Sequence, residues 1–225
     1  MRKLASRRQR DKLGLFACEG EDLVAAALDA GLEPVDVLVD AERPVLEDRL
    51  RRSELVASAL MGELSSLAHP ARVIGVFRRA DLRSGTDAPL GIALWHVGDP
   101  GNVGTIVRTA DALGPAFVAL SAGCADPAGP KALRASMGAL FRVPLARFDE
   151  APRPWVGLVP RGGRPLVELE LGERVTFVLG AERDGLSAEV AEQCDELASI
   201  PLAEGAESLN VAVAAAIALY ERKRR

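Results

Sequence analysis

The residues best suited to chemistry lie in three stretches, 99–108, 180–187 and 200–210, each reading as a strand end that runs into a glycine-bearing loop. At such a place backbone N–H and C=O groups can be aimed at a small ligand. The first stretch begins Asp99-Pro100-Gly101-Asn102-Val103-Gly104 and ends on Arg108. On a helix that carries Val103, Ile106, Val107, Ala110 and Leu113 along one stripe, Arg108 falls about 140° from Val103. It is therefore not placed for packing. Taken singly, each stretch also has an ordinary explanation. The turn at 98–104 suits a phosphate, but it matches neither G-x-x-x-x-G-K-[ST] nor G-x-G-x-x-G, which removes support for the common nucleotide folds. Asn102 and Ser208 are residue types that cap helices. Glu182 in a glycine loop is commonly solvated, and Arg108 has the ordinary reading of a surface arginine.

The third stretch leads into the segment that governs the rest. From Val211 to Leu219 no polar residue interrupts the run, so the helix has no polar face and must be covered, by the core or by a second subunit. Upstream, 15–18 reads as a strand. Acidic residues at 19–22 open a helix with Leu23, Ala26, Ala27 and Ala30 at helical spacing, and Gly31 stops it. A strand at 35–39, a charged stretch at 42–54, a strand at 55–57, a helix through 67 capped by Ser58, and a strand at 73–77 complete a small α/β unit over residues 1–79. Residues 80–89 mix charge, Gly, Ser, Thr and Pro without periodicity and read as a linker. Over 90–225, strands at 90–97, 117–120, 155–159, 176–179 and 197–200 alternate with helices, including one at 130–140 and one through 193 capped by Ser187. Strand, loop and helix in repetition predict a mostly parallel sheet, with ligands at the carboxyl ends of its strands.

With 225 residues and 48% hydrophobic content the chain can bury a sizeable core. Its net charge of −4 argues against indiscriminate nucleic-acid binding, so phosphate contact must come from local patches. Apart from residues 222–225, the densest is residues 2–12, where Arg2, Lys3, Arg7, Arg8, Arg10 and Lys12 face Asp11 alone; a solvated arm is the alternative. Three widely spaced cysteines fit a reducing compartment, and two histidines without a close cysteine pair give no readable metal site. No apolar run reaches the roughly 20 residues of a membrane span, and the charged start is unlike a signal peptide. A cytoplasmic protein with no membrane partner is expected.

Together, in this order and spacing, the three stretches closely resemble the signatures of the SpoU, or TrmH-like, branch of the SPOUT RNA methyltransferases. Asn102-Val103-Gly104 with Arg108-Thr109-Ala110 looks like its first motif, Leu179-Gly180-Ala181-Glu182 with Gly185-Leu186 its second, and Ile200-Pro201-Leu202 with Ser208-Leu209-Asn210-Val211 its third. Residues 131–138, KALRASMG, are similar to the stretch between the first two motifs. The N-terminal unit resembles a substrate-binding domain related to ribosomal protein L30e, on the Glu-Gly of Cys18-Glu19-Gly20. The resemblance implies an α/β fold with a mostly parallel sheet and a C-terminal trefoil knot. It further implies methyl transfer from S-adenosylmethionine to a ribose 2′-hydroxyl of RNA, with ribosomal RNA as the expected substrate, in a homodimer joined through the C-terminal domain. Carried over by position, Leu179, Gly180, Ile200, Leu202, Ser208 and Leu209 would contact the cofactor, while Asn102, Arg108, Glu182, Ser208 and Asn210 would form the catalytic site, with no metal.

The family proposal makes the arginine at position 108 a base. Because arginine stays protonated, Arg108 is read here as holding a phosphate or the developing alkoxide, with proton removal assisted by RNA or solvent. Ser208 and Asn210 are expected to orient Arg108 or the ribose, and Glu182 to bind the hydroxyl or anchor a nearby donor. One departure concerns the third motif, where the family's usual glycine is Glu204 and glycine comes one place later, at Gly205. The alternatives are a catalytically silent RNA-binding protein of the same fold, and transfer RNA as the substrate.

Overall fold

The computed structural model describes residues 2–43, 50 and 53–224, so most of the charged stretch at 42–54 lies outside the described residues. The chain opens with a short 3-10 turn and helix α1 (Arg7–Leu13), which Gly14 ends in the left-handed conformation. Then come β1 (Leu15–Glu19), α2 (Glu21–Asp29), β2 (Pro34–Asp40), β3 (Glu54–Val56), α3 (Ser58–Leu64) and β4 (Val73–Arg78). Their sheet runs β1-β4-β2-β3, antiparallel on both sides of β4 and parallel between β2 and β3. Ser58 does not cap α3; the cap position is Ala57, and the Ser58 hydroxyl donates to Asp40 at 2.5 Å. The helix also stops short of 67. The Glu19 carboxylate accepts from the hydroxyls of Ser65 and Ser66 and from the Ser66 amide, which pins an extended chain just beyond Leu64.

The second part contains β5 (Leu90–Leu94), α4 (Pro100–Leu113), β6 (Ala116–Leu120), α5 (Pro130–Ser136), β7 (Leu145–Arg147), β8 (Trp155–Leu158), β9 (Arg164–Pro165), β10 (Val175–Leu179), α6 (Ala188–Gln193), β11 (Glu196–Ser199) and α7 (Val211–Lys223). These strands form one sheet in the order β7-β6-β5-β10-β8-β11-β9, with every pairing parallel. β5 and β10 are buried along their whole length, as strands covered on both faces must be. Ser187 caps α6 by accepting from the Val190 amide. The expected helix at 130–140 instead breaks after Ser136, because Met137 and Gly138 both take positive φ, and a 3-10 turn at Ala139–Phe141 follows.

The two parts share one apolar core. Phe16 of β1 stacks on Phe77 of β4 and on Phe141 of the second part, with ring centroids 5.9 and 6.2 Å apart. The segment at 80–89 has no strand or α-helix beyond the 3-10 turn at Arg79–Asp81, but backbone bonds tie Arg83 and Gly85 to Leu145. The basic strip is not a free arm. Arg10 is buried on Asp126, with Nε 2.7 Å from the carboxylate; Arg7 donates to the Cys124 carbonyl, and Arg2 pairs with Glu63. Lys3, Arg8 and Lys12 remain exposed. α7 is covered on one side only. Ala212, Ala215, Ala218 and Leu219 are buried, with α4 packed alongside, whereas Val213 and Tyr220 are 46% and 60% exposed within the single chain.

Candidate active site

The three loops meet at the carboxyl ends of β5, β10 and β11, and polar side chains join them. Pro100 supplies the first helical residue of α4, so the cap falls on Asp99, whose carboxylate accepts from the Asn102 amide at 3.0 Å and from Lys131 Nζ at 2.7 Å. Asn102 is thus inside the helix, and its side chain is free to bridge. Its Nδ2 donates to Glu182 Oε1 at 2.9 Å, and its Oδ1 accepts from Asn210 Nδ2 at 3.0 Å. Asn210, not Ser208, caps α7, its Oδ1 accepting from the amides of Ala212 and Val213. The Glu182 carboxylate also accepts from the amides of Gly98 and Asp99, at 3.2 and 3.1 Å. One chain, Glu182–Asn102–Asn210, therefore ties the first loop to the second and third.

This arrangement sets the ionisation of Glu182. Partial burial pushes its carboxyl up, but the Asn102 side chain and the backbone amides outweigh that and hold it below the ordinary carboxylate range. It stays ionised as an anchor for the Asn102 donor and the first loop, and a carboxylate so stabilised is a poor proton acceptor.

Beside the chain lies a cavity walled by Leu179, Gly180, Ile200, Leu202, Ser208 and Leu209, all six of the positions matched to cofactor contact, together with Leu158 and Val159. Its shape depends on a tight turn after β10, where the amides and carbonyls of Ala181 and Gly185 bond reciprocally at 3.1 and 2.9 Å. A Cβ at Gly180 would stand 2.0 Å from the Gly185 carbonyl, so only glycine closes this turn. The backbone of 200–209 joins no strand or helix and, apart from the bond between the Ala206 amide and the Ala203 carbonyl, its polar groups are left available. Apolar walls and open backbone groups fit an adenosine-bearing cofactor of the S-adenosylmethionine type. The departure at 204 does not undo the loop. Gly205 takes φ 85, and the Ala206 amide bonds back to the Ala203 carbonyl, so the chain turns one residue later.

Glu182, Asn102 and Asn210 are thus joined directly, and Ser208 lines the cavity. Arg108 stands apart, exposed on α4, with no hydrogen bond or ion pair among the described residues. Sequence reasoning passed over Asp99 and Lys131 as a pair. The Asp-Pro step at 99–100 was the available signal, since Asp before Pro marks a cap and first helical position.

A parallel sheet with these loops at its carboxyl ends, behind a mixed-sheet unit, is shared with solved RNA methyltransferases. The solved SpoU methyltransferase AviRb from Streptomyces viridochromogenes, in complex with the cofactor AdoMet, matches with a TM-score of 0.84 and 29% identity, covering 99% of this chain and 94% of that one. The SpoU rRNA Methylase family matches residues 89–220, and the chain belongs to that family; the MRM3-like substrate binding domain matches residues 1–75. Among similar proteins, the 23S rRNA (guanosine(2553)-2'-O)-methyltransferase RlmP of Bacillus subtilis is 32% identical, over 97% of this chain and 92% of its own length. The 23S rRNA (uridine(2479)-2'-O)-methyltransferase of Streptomyces viridochromogenes is 31% identical, over 99% of this chain and 87% of its own.

Proposed function

We propose that this protein transfers a methyl group from S-adenosylmethionine to a ribose 2′-hydroxyl of ribosomal RNA. The observation that carries the reading is the convergence of the cavity at Leu179, Gly180, Ile200, Leu202, Ser208 and Leu209 with the Glu182–Asn102–Asn210 chain. Similar proteins of the family are named for 2′-O-methylation of 23S rRNA. When bound, S-adenosylmethionine supplies an electrophilic methyl on a sulfonium. The protein's own task is alignment and charge stabilisation. The cavity residues hold the cofactor largely through backbone groups, and Asn102 and Asn210 fix the loops around the acceptor ribose. Arg108, a guanidinium with no partner among the described residues, holds a phosphate or the developing alkoxide, while the hydroxyl proton leaves to solvent or RNA.

The trefoil threading of the C-terminal loops and a homodimer belong to the same proposal. An apolar strip at Val213 and Tyr220, continuing into the 38% exposed Leu209 beside the cavity, is suited to a second copy. Light scattering is expected to report a dimer at micromolar concentration, and a stable monomer refutes that part. Among the described residues no helix is long and apolar enough to cross a membrane, and Cys18, Cys124 and Cys194 are free thiols, in keeping with the cytoplasm, where we place the protein.

The deciding experiment is incubation with the cofactor and unmodified ribosomal RNA, followed by nuclease digestion and mass spectrometry. A new 2′-O-methyl nucleoside is expected. Cofactor and RNA binding without any ribose methylation would leave a silent RNA-binding protein.

A further inference from the structure

A second cavity, of about 470 Å³, opens where α1 meets the carboxyl ends of β5, β6 and β7. That is within the 300–1,000 Å³ typical of ligand pockets. Its aromatic wall is Trp95 and Phe148, whose ring centroids are 5.1 Å apart at a 58° tilt. Arg7, Arg79 and Arg147 stand around it, with Asp126 and Asp149. Each neighbour fixes the wall further. His96 stacks parallel on Trp95, centroids 4.5 Å apart and planes 8° apart, and Phe148 meets Trp155 edge-on. His96 does this at φ 56, a left-handed conformation that a residue with a side chain adopts infrequently. Such outliers persist where surrounding structure over-determines them and cluster at functional sites. The Trp95 indole N–H has no partner among the described residues, while no buried side-chain nitrogen or oxygen lacks one. That N–H therefore opens toward solvent as an uncommitted donor.

We infer that this cavity is a nucleobase subsite, taking the base of an unpaired nucleotide next to the target ribose. The inference rests on the RNA substrate proposed above and deepens it. The rim charges are paired, Arg79 with the buried Asp126 and Arg147 with the exposed Asp149, so a bare phosphate meets no uncompensated cation there, while the exposed Arg147 and Asp149 offer a donor and an acceptor to the edge of a base. An aromatic wall with basic side chains beside it is a usual means of holding splayed-out RNA bases. The position fits too. Trp95 is three residues before Gly98, whose amide Glu182 holds, so the wall lies within about 11 Å of backbone from the first loop of the active site. Both parts of the protein build the cavity. Arg7 comes from α1 and is fixed by donating to the Cys124 carbonyl at 2.7 Å, and Arg79 from the end of the N-terminal unit is fixed on Asp126. A base seated there would set the register of the strand and would sense that the N-terminal unit is docked.

The test uses the full chain with two end-labelled single-stranded probes, a 12-mer of oligo(rA) and an abasic ribose-phosphate 12-mer, followed by anisotropy and by tryptophan emission. The chain has only two tryptophans, and the other, Trp155, is buried. Oligo(rA) is expected to quench wild-type emission, while the abasic strand binds without quenching. Trp95→Ala should weaken oligo(rA) about tenfold, in the range for loss of one base–aromatic stack, and leave the abasic strand unchanged. Trp95→Phe should restore the affinity while abolishing the quench, and cofactor binding by both variants reports that they are folded. Equal oligo(rA) affinity for wild type and Trp95→Ala, with no quench, overturns the subsite while leaving the RNA reading intact. Failure of wild type to bind either strand at low salt overturns both.

Discussion

Asp126→Ala tests how much one buried carboxylate adds to the apolar core that the two parts of the chain share. Asp126 accepts from Arg10 Nε at 2.7 Å, from Arg79 Nη1 at 3.0 and 2.9 Å, and from the Ala128 amide at 3.1 Å, and its side chain is 3% exposed. Its partners differ in what they lose. Arg79 is 28% exposed and keeps Asp11 at 3.7 Å, so water and a second carboxylate compensate it. Arg10, 5% exposed, is left, among the described residues, with the carbonyls of Leu4 and Ala5, at 2.8 and 2.9 Å. Stranding a buried charge in this way costs about 3–5 kcal/mol. Against a total stability of roughly 5–15 kcal/mol that is a large fraction. At about 2–4 °C per kcal/mol for a chain of this size, the melting temperature should fall by roughly 6–20 °C.

The double variant Arg10→Met, Asp126→Leu separates this cause from simple loss of contact. With neither charge buried, most of the stability should return, because replacing a buried ion pair with apolar groups of similar volume is often near neutral. Urea melts followed by circular dichroism and by tryptophan emission read the result, the second reporting on Trp95 beside the latch. A loss below about 1 kcal/mol in the single variant, or a double variant no more stable than the single, would show that Arg10 is not stranded and that the reasoning fails.

The same carboxylate predicts acid sensitivity. Burial raises its pKa, but Arg79 and Arg10 together hold it below the ordinary aspartate value, so its contribution is complete above about pH 4 and is lost as pH falls through the depressed folded value. Chemical melts at pH 7, 4 and 3 should show stability falling toward acid more steeply in wild type than in the double variant. Gly180→Ala should abolish cofactor binding measured by calorimetry, since its Cβ would stand 2.0 Å from the Gly185 backbone; retained wild-type affinity would mean the turn is not part of the cofactor site. Arg108→Ala should lower turnover 100-fold or more while leaving fold and cofactor affinity nearly unchanged, as expected of an exposed group used in the transition state. Near wild-type turnover on ribosomal RNA would return Arg108 to an ordinary surface arginine.

Legibility from the sequence followed the range of the interactions involved. Buried strands such as β5 and β10, the α4 stripe and the Ser187 cap are written in neighbouring residues, and periodicity exposes them. β9, two residues long, and β7, three, are too short to carry a pattern. Arg10 looked like part of a phosphate-facing strip because its partner lies 116 positions away, and no local signal marks a cation for burial. The site shows the same divide at finer scale. Asn102 and Ser208 are cap-type residues near helix starts, yet the caps are Asp99 and Asn210.

That shift has a chemical consequence. With Pro100 at the first position of α4, Asp99 satisfies the Asn102 amide and leaves the Asn102 side chain unspent. Asn210 uses its oxygen on α7 and turns its remaining N–H toward Asn102, 108 positions earlier. Had Asn102 been the cap, its oxygen would have been committed to its own helix, and Glu182 could not have been linked to the third loop through it. The choice of which residue caps α4 therefore decides whether the three loops are fixed to one another. This also makes Asn102→Asp informative. A carboxylate there keeps the size and can still accept from Asn210, but it loses the donor to Glu182 and sets two like charges side by side. Turnover should fall much more than for Asn102→Ala, which merely removes the bridge, and should recover in part with Glu182→Gln added. If the aspartate and alanine variants turn over equally and the second substitution rescues nothing, Asn102 does not act by joining Glu182 to Asn210.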